Sequence, residues 1–92
     1  MSYIVEKAEG AFSRLVGLPS ELLDRIDDAL RELAASPREL GKKACFPYPP
    51  KGQMYSFHRD HGGVRYYFVA FYYFADDEKT LRVYDVTVTT AF

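Results

Sequence analysis

Residues 64–75 read Val-Arg-Tyr-Tyr-Phe-Val-Ala-Phe-Tyr-Tyr-Phe-Ala, and Arg65 is the one charged side chain among them. Aromatic and β-branched residues are typical of a strand, in which successive side chains point to opposite faces. One face holds Tyr67, Val69, Phe71 and Tyr73, and the other holds Tyr66, Phe68, Ala70, Tyr72 and Phe74. Because both faces are apolar, the pattern predicts a central strand that is covered on both sides.

Turn residues bound this strand, and a further strand lies beyond each turn. Asp60-His61-Gly62-Gly63 supplies the residues that a hairpin turn needs for positive φ, and Gln53 to Arg59 before it alternates weakly. Asp76-Asp77-Glu78-Lys79 forms a polar turn, and Thr80 to Thr90 after it has the pattern of a last strand. The C-terminal half is therefore predicted to be a meander of three antiparallel strands.

The first residues of the chain predict a short strand followed by a short helix. The run from Tyr3 to Val5 has the aromatic and β-branched character of a strand. Beyond it, Phe12, Leu15 and Val16 recur at helical spacing, and Gly17 stands where a helix would end. We therefore expect a first helix from Ala8 to Gly17.

A longer amphipathic helix is predicted from Leu18-Pro19-Ser20-Glu21 to Ser36-Pro37. Proline suits a first helical turn, and the residue before a proline is pushed out of the helical region. The apolar side chains form one stripe, namely Leu22, Leu23, Ile26, Leu30 and Leu33. Because a few residues join them, the two helices should form an antiparallel hairpin. Residues 37–52, with their prolines and glycines, are predicted to be a connecting loop.

Together these elements predict an α+β fold, with an N-terminal short strand and a helical hairpin packed on a three- to four-stranded antiparallel sheet. The length of 92 residues predicts one domain, 1–92, because chains this short rarely hold two cores. No run reaches the roughly 20 apolar residues of a membrane span, so no membrane association is expected. The single cysteine, Cys45, and the lack of a secretion signal favour the cytoplasm.

Charge is divided unevenly along the chain, although the net charge is only -1. Residues 1–36 carry four basic and seven acidic side chains, residues 37–65 carry six and two, and residues 66–92 carry two and four. The basic side chains of the middle segment are Arg38, Lys42, Lys43, Lys51, Arg59 and Arg65. They predict either a patch that attracts a polyanion or a set of solvated loop cations.

The order of these features resembles the RelE/ParE toxin superfamily over nearly the whole chain. The matching features are Leu18-Pro19 before an amphipathic helix, Ser36-Pro37 after it, Arg65-Tyr66-Tyr67-Phe68 and the acidic turn Asp76-Asp77-Glu78-Lys79. The resemblance implies the toxin of a type II toxin-antitoxin system, held by a cognate antitoxin protein. RelE-like members cleave messenger RNA on the ribosome, whereas ParE-like members act on DNA gyrase.

RNA cleavage without a metal requires a group that activates the 2'-hydroxyl, a cation for the developing charge and a proton donor for the leaving oxygen. On the RelE-like pattern Arg65 would contact phosphate, and Arg59, Lys51 and His58 complete the predicted catalytic set. Arg38, Lys42 and Lys43 are the predicted RNA-binding residues. No metal or other cofactor is expected, because no Cys or His cluster is present.

Several of these residues have a plainer interpretation. The spacing of His58 and His61 places them on opposite faces of a strand, so both could be solvated turn residues. Arg65 could be an exposed arginine or lie at the rim of a homodimer, and Cys45 is better explained as a small buried side chain than as a nucleophile. The His, Arg or Tyr that the family usually carries near its C-terminus is replaced by Val88-Thr89-Thr90.

Three functions therefore remain open at this point. The first is RelE-like, ribosome-dependent cleavage of messenger RNA. The second is a non-catalytic binding protein, either a ParE-like gyrase inhibitor or an inactive toxin-fold module, which the altered C-terminal strand favours. The third is a regulator that binds nucleic acid without chemistry.

Overall fold

A computed structural model describes residues 2–43 and 52–91 as a single five-stranded sheet with helices on one face. The strands are β1 (Ile4–Lys7), β2 (Lys42–Lys43), β3 (Gln53–His61), β4 (Val64–Phe74) and β5 (Thr80–Ala91), and the helices are α1 (Ser20–Ala35) and α2 (Pro37–Leu40). The strand order is β1-β5-β4-β3-β2, so β4 lies at the centre as the sequence predicts. The α+β class is confirmed.

Strand pairing follows the predicted meander and adds two pairs to it. The β3–β4 and β4–β5 pairs are antiparallel, and the first of them runs from Gln53 opposite Tyr72 to His61 opposite Val64. Gly62 and Gly63 both have positive φ, of 59° and 79°, as the two central residues of a type I′ turn require. The short β2 pairs with β3, whereas β1 runs parallel to β5, so the sheet is mixed rather than wholly antiparallel.

The core lies between α1 and one face of the sheet. Apolar side chains of α1 that are fully or almost fully buried include Leu22, Ile26, Leu30 and Leu33. They pack against the even-numbered residues of β4, of which Phe68, Ala70 and Tyr72 are at most 1% exposed. We call this side of the sheet the helix face and the opposite side the outer face.

The predicted first helix is wrong, because residues 8–17 form only one 3₁₀ turn, Ser13–Leu15. The flanking glycines, Gly10 and Gly17, have φ of 80° and 94°, which interrupts a right-handed helix. The backbone bonds to the sheet edge instead, since Val86 N donates to Ala11 O at 3.1 Å. The helical layer is therefore α1 with the short α2, rather than an antiparallel hairpin.

Residues 37–43 also contain more structure than the predicted loop. The long helix ends at Ala35 as Ser36-Pro37 predicts, and Pro37 then begins α2. Tyr72 Oη on β4 donates to Pro37 O at 3.2 Å, which fixes α2 over the sheet. Burial raises the pKa of the Tyr72 phenol to about 12, so this donor stays protonated.

Cover on both sides of β4 is not found among the described residues. The odd-numbered side chains of β4 lie on the outer face, where Tyr67 is 44% exposed. Phe71 is buried on this face, with its ring 6.3 Å from that of Tyr84. Neighbouring side chains of the outer face therefore cover one another, and part of that face stays exposed to solvent. Within the same ranges, no helix has the length and apolar character needed to cross a membrane.

Candidate functional site

The end of the outer face beside the β3–β4 turn carries an ion pair. Asp60 and Arg65 lie opposite each other in the register of these strands. Arg65 Nε donates to Asp60 Oδ1 at 2.8 Å and Nη2 donates to Oδ2 at 3.3 Å, so the contact is bidentate. The hydrogen bond from Arg65 lowers the pKa of the Asp60 carboxyl, and Asp60 with Tyr67 raises the pKa of the guanidinium. At neutral pH both groups are charged.

The next row of the outer face joins three strands through His58, Tyr67 and Thr89. His58 pairs with Tyr67 across β3 and β4, and Tyr67 pairs with Thr89 across β4 and β5. The ring centroids of His58 and Tyr67 are 5.9 Å apart with a 51° angle between the ring planes. Both side chains are exposed. A histidine, a phenol and a hydroxyl are therefore side by side, one row from Arg65.

Arg59 is separated from these groups, because its side chain lies on the helix face. Its Cζ is 5.4 Å from the ring centroid of Phe57, and its Nη2 is 3.7 Å from Glu32 Oε2 on α1. The predicted set of Arg59, His58 and Arg65 is thus divided, with only the last two on the same face. His61 pairs with Val64 at the end of the strand and shares the helix face, so His58 and His61 are on opposite faces as their spacing predicts.

The predicted RNA-binding residues do not form a patch around Arg65 within the described ranges. Arg38 on α2 stacks on Phe74, with Cζ 4.7 Å from the ring centroid. Phe74 is nine residues along β4 from Arg65, so Arg38 contacts the strand about 30 Å from Arg65. Lys42 is exposed on the edge strand β2, opposite Met54, and Lys43 is opposite Gln53. Lys51 and Cys45 lie outside the described residues. Within those ranges, no group of three or more His, Cys, Asp or Glu side chains could hold a metal.

Comparisons with known proteins identify the fold. No protein family model and no curated protein matches the chain. A double arginine-to-alanine mutant of Escherichia coli toxin RelE in the free state matches with a TM-score of 0.60 at 24% identity, covering 95% of this chain and 83% of that one. This chain has the RelE fold.

Two further RelE structures match over similar lengths. The same E. coli mutant in complex with a peptide of the antitoxin RelBc gives a TM-score of 0.58 at 24% identity, covering 94% of this chain and 82% of that one. The intact E. coli RelBE toxin-antitoxin complex gives 0.58 at 22% identity, covering 94% and 95%. Nearly the whole chain is thus accounted for by the RelE fold.

On this RelE fold, the outer-face groups have the chemistry that proton transfer beside a phosphate requires. A guanidinium can stabilise anionic charge, and a histidine can take up and release a proton near neutral pH. The threonine of the altered C-terminal strand, Thr89, shares the row of His58 and Tyr67. Tyr67 is the direct neighbour of Thr89 in this row, and His58 lies one strand further on.

Tyr67 is the residue of this cluster that sequence reasoning missed. The sequence pattern places Tyr67 among the apolar side chains of β4, but it is less buried than the other odd-numbered aromatic residues, Phe71 and Tyr73. A signal was present in the Gly62-Gly63 turn. A two-residue turn fixes the register, and counting outward from it pairs His58 with Tyr67 and Asp60 with Arg65.

Proposed function

We propose that the chain is the toxin of a toxin-antitoxin pair, which inhibits growth by metal-independent cleavage of messenger RNA on the ribosome. The observation that carries the proposal is the position of Arg65 and His58 in neighbouring rows of the same open outer face of a RelE fold. Arg65 would hold the scissile phosphate once its bond to Asp60 is exchanged. His58 would take the proton of the attacking 2'-hydroxyl, and solvent water would protonate the leaving 5'-oxygen. Arg59 has no direct part in this version of the site.

A cognate antitoxin is the proposed partner. In the solved E. coli complexes RelE is bound to RelB or to a RelB peptide. An equivalent partner of this chain would block binding of the messenger RNA to the outer face. A short reading frame beside the gene that encodes a DNA-binding protein would support the pair. Growth arrest that co-expression of that protein does not relieve would contradict it.

The test of cleavage is induced expression in a bacterial host with mapping of RNA ends. We expect growth arrest and new 5' ends within translated codons for the wild-type chain, and neither for Arg65→Gln. Arg82→Gln is the matched control, because Arg82 is also an outer-face arginine paired with a carboxylate, Glu6, but lies on β5 opposite Tyr73, at the far end of β4 from Arg65. Loss of activity in both variants, or in neither, would count against a site at Arg65.

A second candidate is a non-catalytic binding protein, including a ParE-like inhibitor of DNA gyrase. The position of Thr89 beside Tyr67 favours it, since a threonine hydroxyl is a poor general acid, and the helix-face position of Arg59 removes one of the expected cations. This alternative predicts intact messenger RNA in arrested cells. Mapped cleavage of messenger RNA at codons in the ribosomal A site would exclude it.

A further inference from the structure

A shallow cavity on the outer face lies directly beside the Arg65 ion pair. Its volume is about 320 Å³, and its lining includes Ser56, His58, Tyr67 and Val69. Phe57 and Phe68 complete the lining, although their side chains point to the helix face. The volume is at the lower end of the range for small-ligand sites, which suits a group the size of one nucleotide rather than a large molecule.

The side chains around the cavity suit a flat aromatic ligand. His58 and Tyr67 are both exposed, and the 51° angle between their planes means that they are not stacked on each other. A ring face therefore remains accessible for a planar group, and Val69 adds an apolar surface beside it. The Ser56 hydroxyl, which is also exposed, can exchange hydrogen bonds with the edge of such a group.

The surroundings of the cavity add charge complementarity for a phosphate. Arg65 is two residues from Tyr67 on the same strand and face, about 7 Å along β4. Because β3 and β4 are paired with each other along the whole cavity, its floor offers no free backbone groups to which a peptide could bond as an added strand. A base with its phosphate fits these features better than a peptide does.

We propose that Tyr67 and His58 form a stacking site for one unpaired RNA base, whose neighbouring phosphate is bound by Arg65. Tyr67 is then a substrate-positioning residue that holds the RNA backbone against Arg65 and His58. The choice of RNA as ligand rests on the proposed function. The stacking site is an additional claim, since cleavage at Arg65 does not require it.

The test is binding of an RNA hexamer that carries one 2-aminopurine, a base whose fluorescence falls when it stacks. Tyr67→Val removes the ring and should weaken binding about 5- to 150-fold, the range that loss of one stacked base corresponds to. Tyr67→Phe keeps the ring and should retain both the affinity and the quenching. Tyr73→Val is the matched control on the same strand and face, and circular dichroism verifies the fold of each variant.

An abasic hexamer gives a second measurement that does not depend on the variants folding. We expect the wild-type chain to bind it more weakly than the intact hexamer by a similar factor. Equal affinity for the two hexamers, equal affinity of Tyr67→Val and wild type, or no binding of the hexamer at all would overturn the stacking site. In the last case a protein ligand would replace RNA at this cavity.

Failure of the stacking site can be told apart from failure of the proposed function by the cellular assay. If the wild-type chain produces mapped RNA ends but Tyr67→Val binds the hexamer as tightly as wild type, stacking is refuted and cleavage stands. If wild type arrests growth with intact messenger RNA, the proposed cleavage fails whatever the hexamer shows.

Discussion

Gly41 is a residue at which the backbone passes too close to a buried side chain for any larger residue. A Cβ atom at this position would lie 1.7 Å from Tyr72 Oη and 2.8 Å from Pro37 O. Gly41→Ala should therefore force α2 away from the sheet and lower the free energy of unfolding by about 1–3 kcal/mol. Urea denaturation measures the difference.

The Tyr72→Phe background provides the control for Gly41. It removes the nearest atom and also the hydrogen bond to Pro37 O, so Tyr72→Phe has a cost of its own. Because part of the steric conflict disappears, the double variant should lose less stability than the sum of the two single variants. Strict additivity would show that the close approach to Tyr72 is not the cause.

Asp60 occupies the same donors of Arg65 that a phosphate would use. Asp60→Asn removes this competing charge, and we expect the affinity for an RNA hexamer to rise. Since one more cation becomes available to phosphate, the plot of log affinity against log salt should steepen by about 0.7. Asp24→Asn on the exposed side of α1 is the charge-matched control. An unchanged salt dependence for Asp60→Asn would mean that Arg65 does not contact phosphate.

At the scale of elements, the β4–β5 turn is held by one carboxylate. Asp77 Oδ1 accepts from Lys79 N at 2.8 Å and from Thr80 N at 3.1 Å, and Oδ2 accepts from Thr80 Oγ1 at 3.0 Å. The bond from Lys79 N is the largest cause that lowers the pKa of Asp77, although partial desolvation opposes it. Together these bonds allow the chain to reverse into β5, which pairs with β4 apart from one bulge at Tyr84.

The lowered pKa of Asp77 gives the stability of this turn a predictable pH dependence. A depressed folded-state pKa adds stability above the unfolded value, about 3.9, and that stability is lost as pH falls through the folded value. The difference in urea midpoint between wild type and Asp77→Asn should be constant at pH 5–7 and shrink below about pH 4. A difference that grows in acid would reverse the assigned sign.

Helix α1 is the element on which the core depends. Ile26 is fully buried, so Ile26→Ala should lower the free energy of unfolding by about 2–5 kcal/mol. Val16 is 85% exposed, and Val16→Ala should change it by less than about 0.5 kcal/mol. Thermal and urea unfolding of the two variants test this contrast. A large effect at Val16 would instead support the helical hairpin that the sequence predicts.

Helix α1 and residues 8–17 also illustrate which parts of the fold local sequence patterns can predict. The stripe of α1 repeats over sixteen residues between clear boundaries, and the long strands are flanked by turn residues, so both were predictable. Leu15 and Val16 share an apolar character, but the first is 1% exposed and the second 85%. That difference arises from contacts of residues 8–17 with β5, some seventy positions away. The parallel β1–β5 pair likewise joins residues that are distant in the sequence, so local patterns do not contain it.

Over the whole molecule, the sheet separates residues that stabilise the fold from residues that can meet a ligand. Arg59 and Arg65 are both predicted site residues, since each is an arginine near the same turn. Their faces depend on the register of β3 and β4, which a charge count does not contain. The first is directed toward α1 and Glu32, and the second toward the open outer face.

Exchange of these two arginines for glutamine should therefore have opposite consequences. Arg59→Gln removes the contact with Phe57 and the ion pair with Glu32, so the free energy of unfolding should fall by about 0.5–2 kcal/mol while growth arrest persists. Arg65→Gln removes an exposed guanidinium and should leave the urea midpoint unchanged while growth arrest is lost. Both readouts are measured on the same two chains at matched expression. If Arg59→Gln abolishes arrest without a change in stability, the helix face takes part in function and the division between the two faces is wrong.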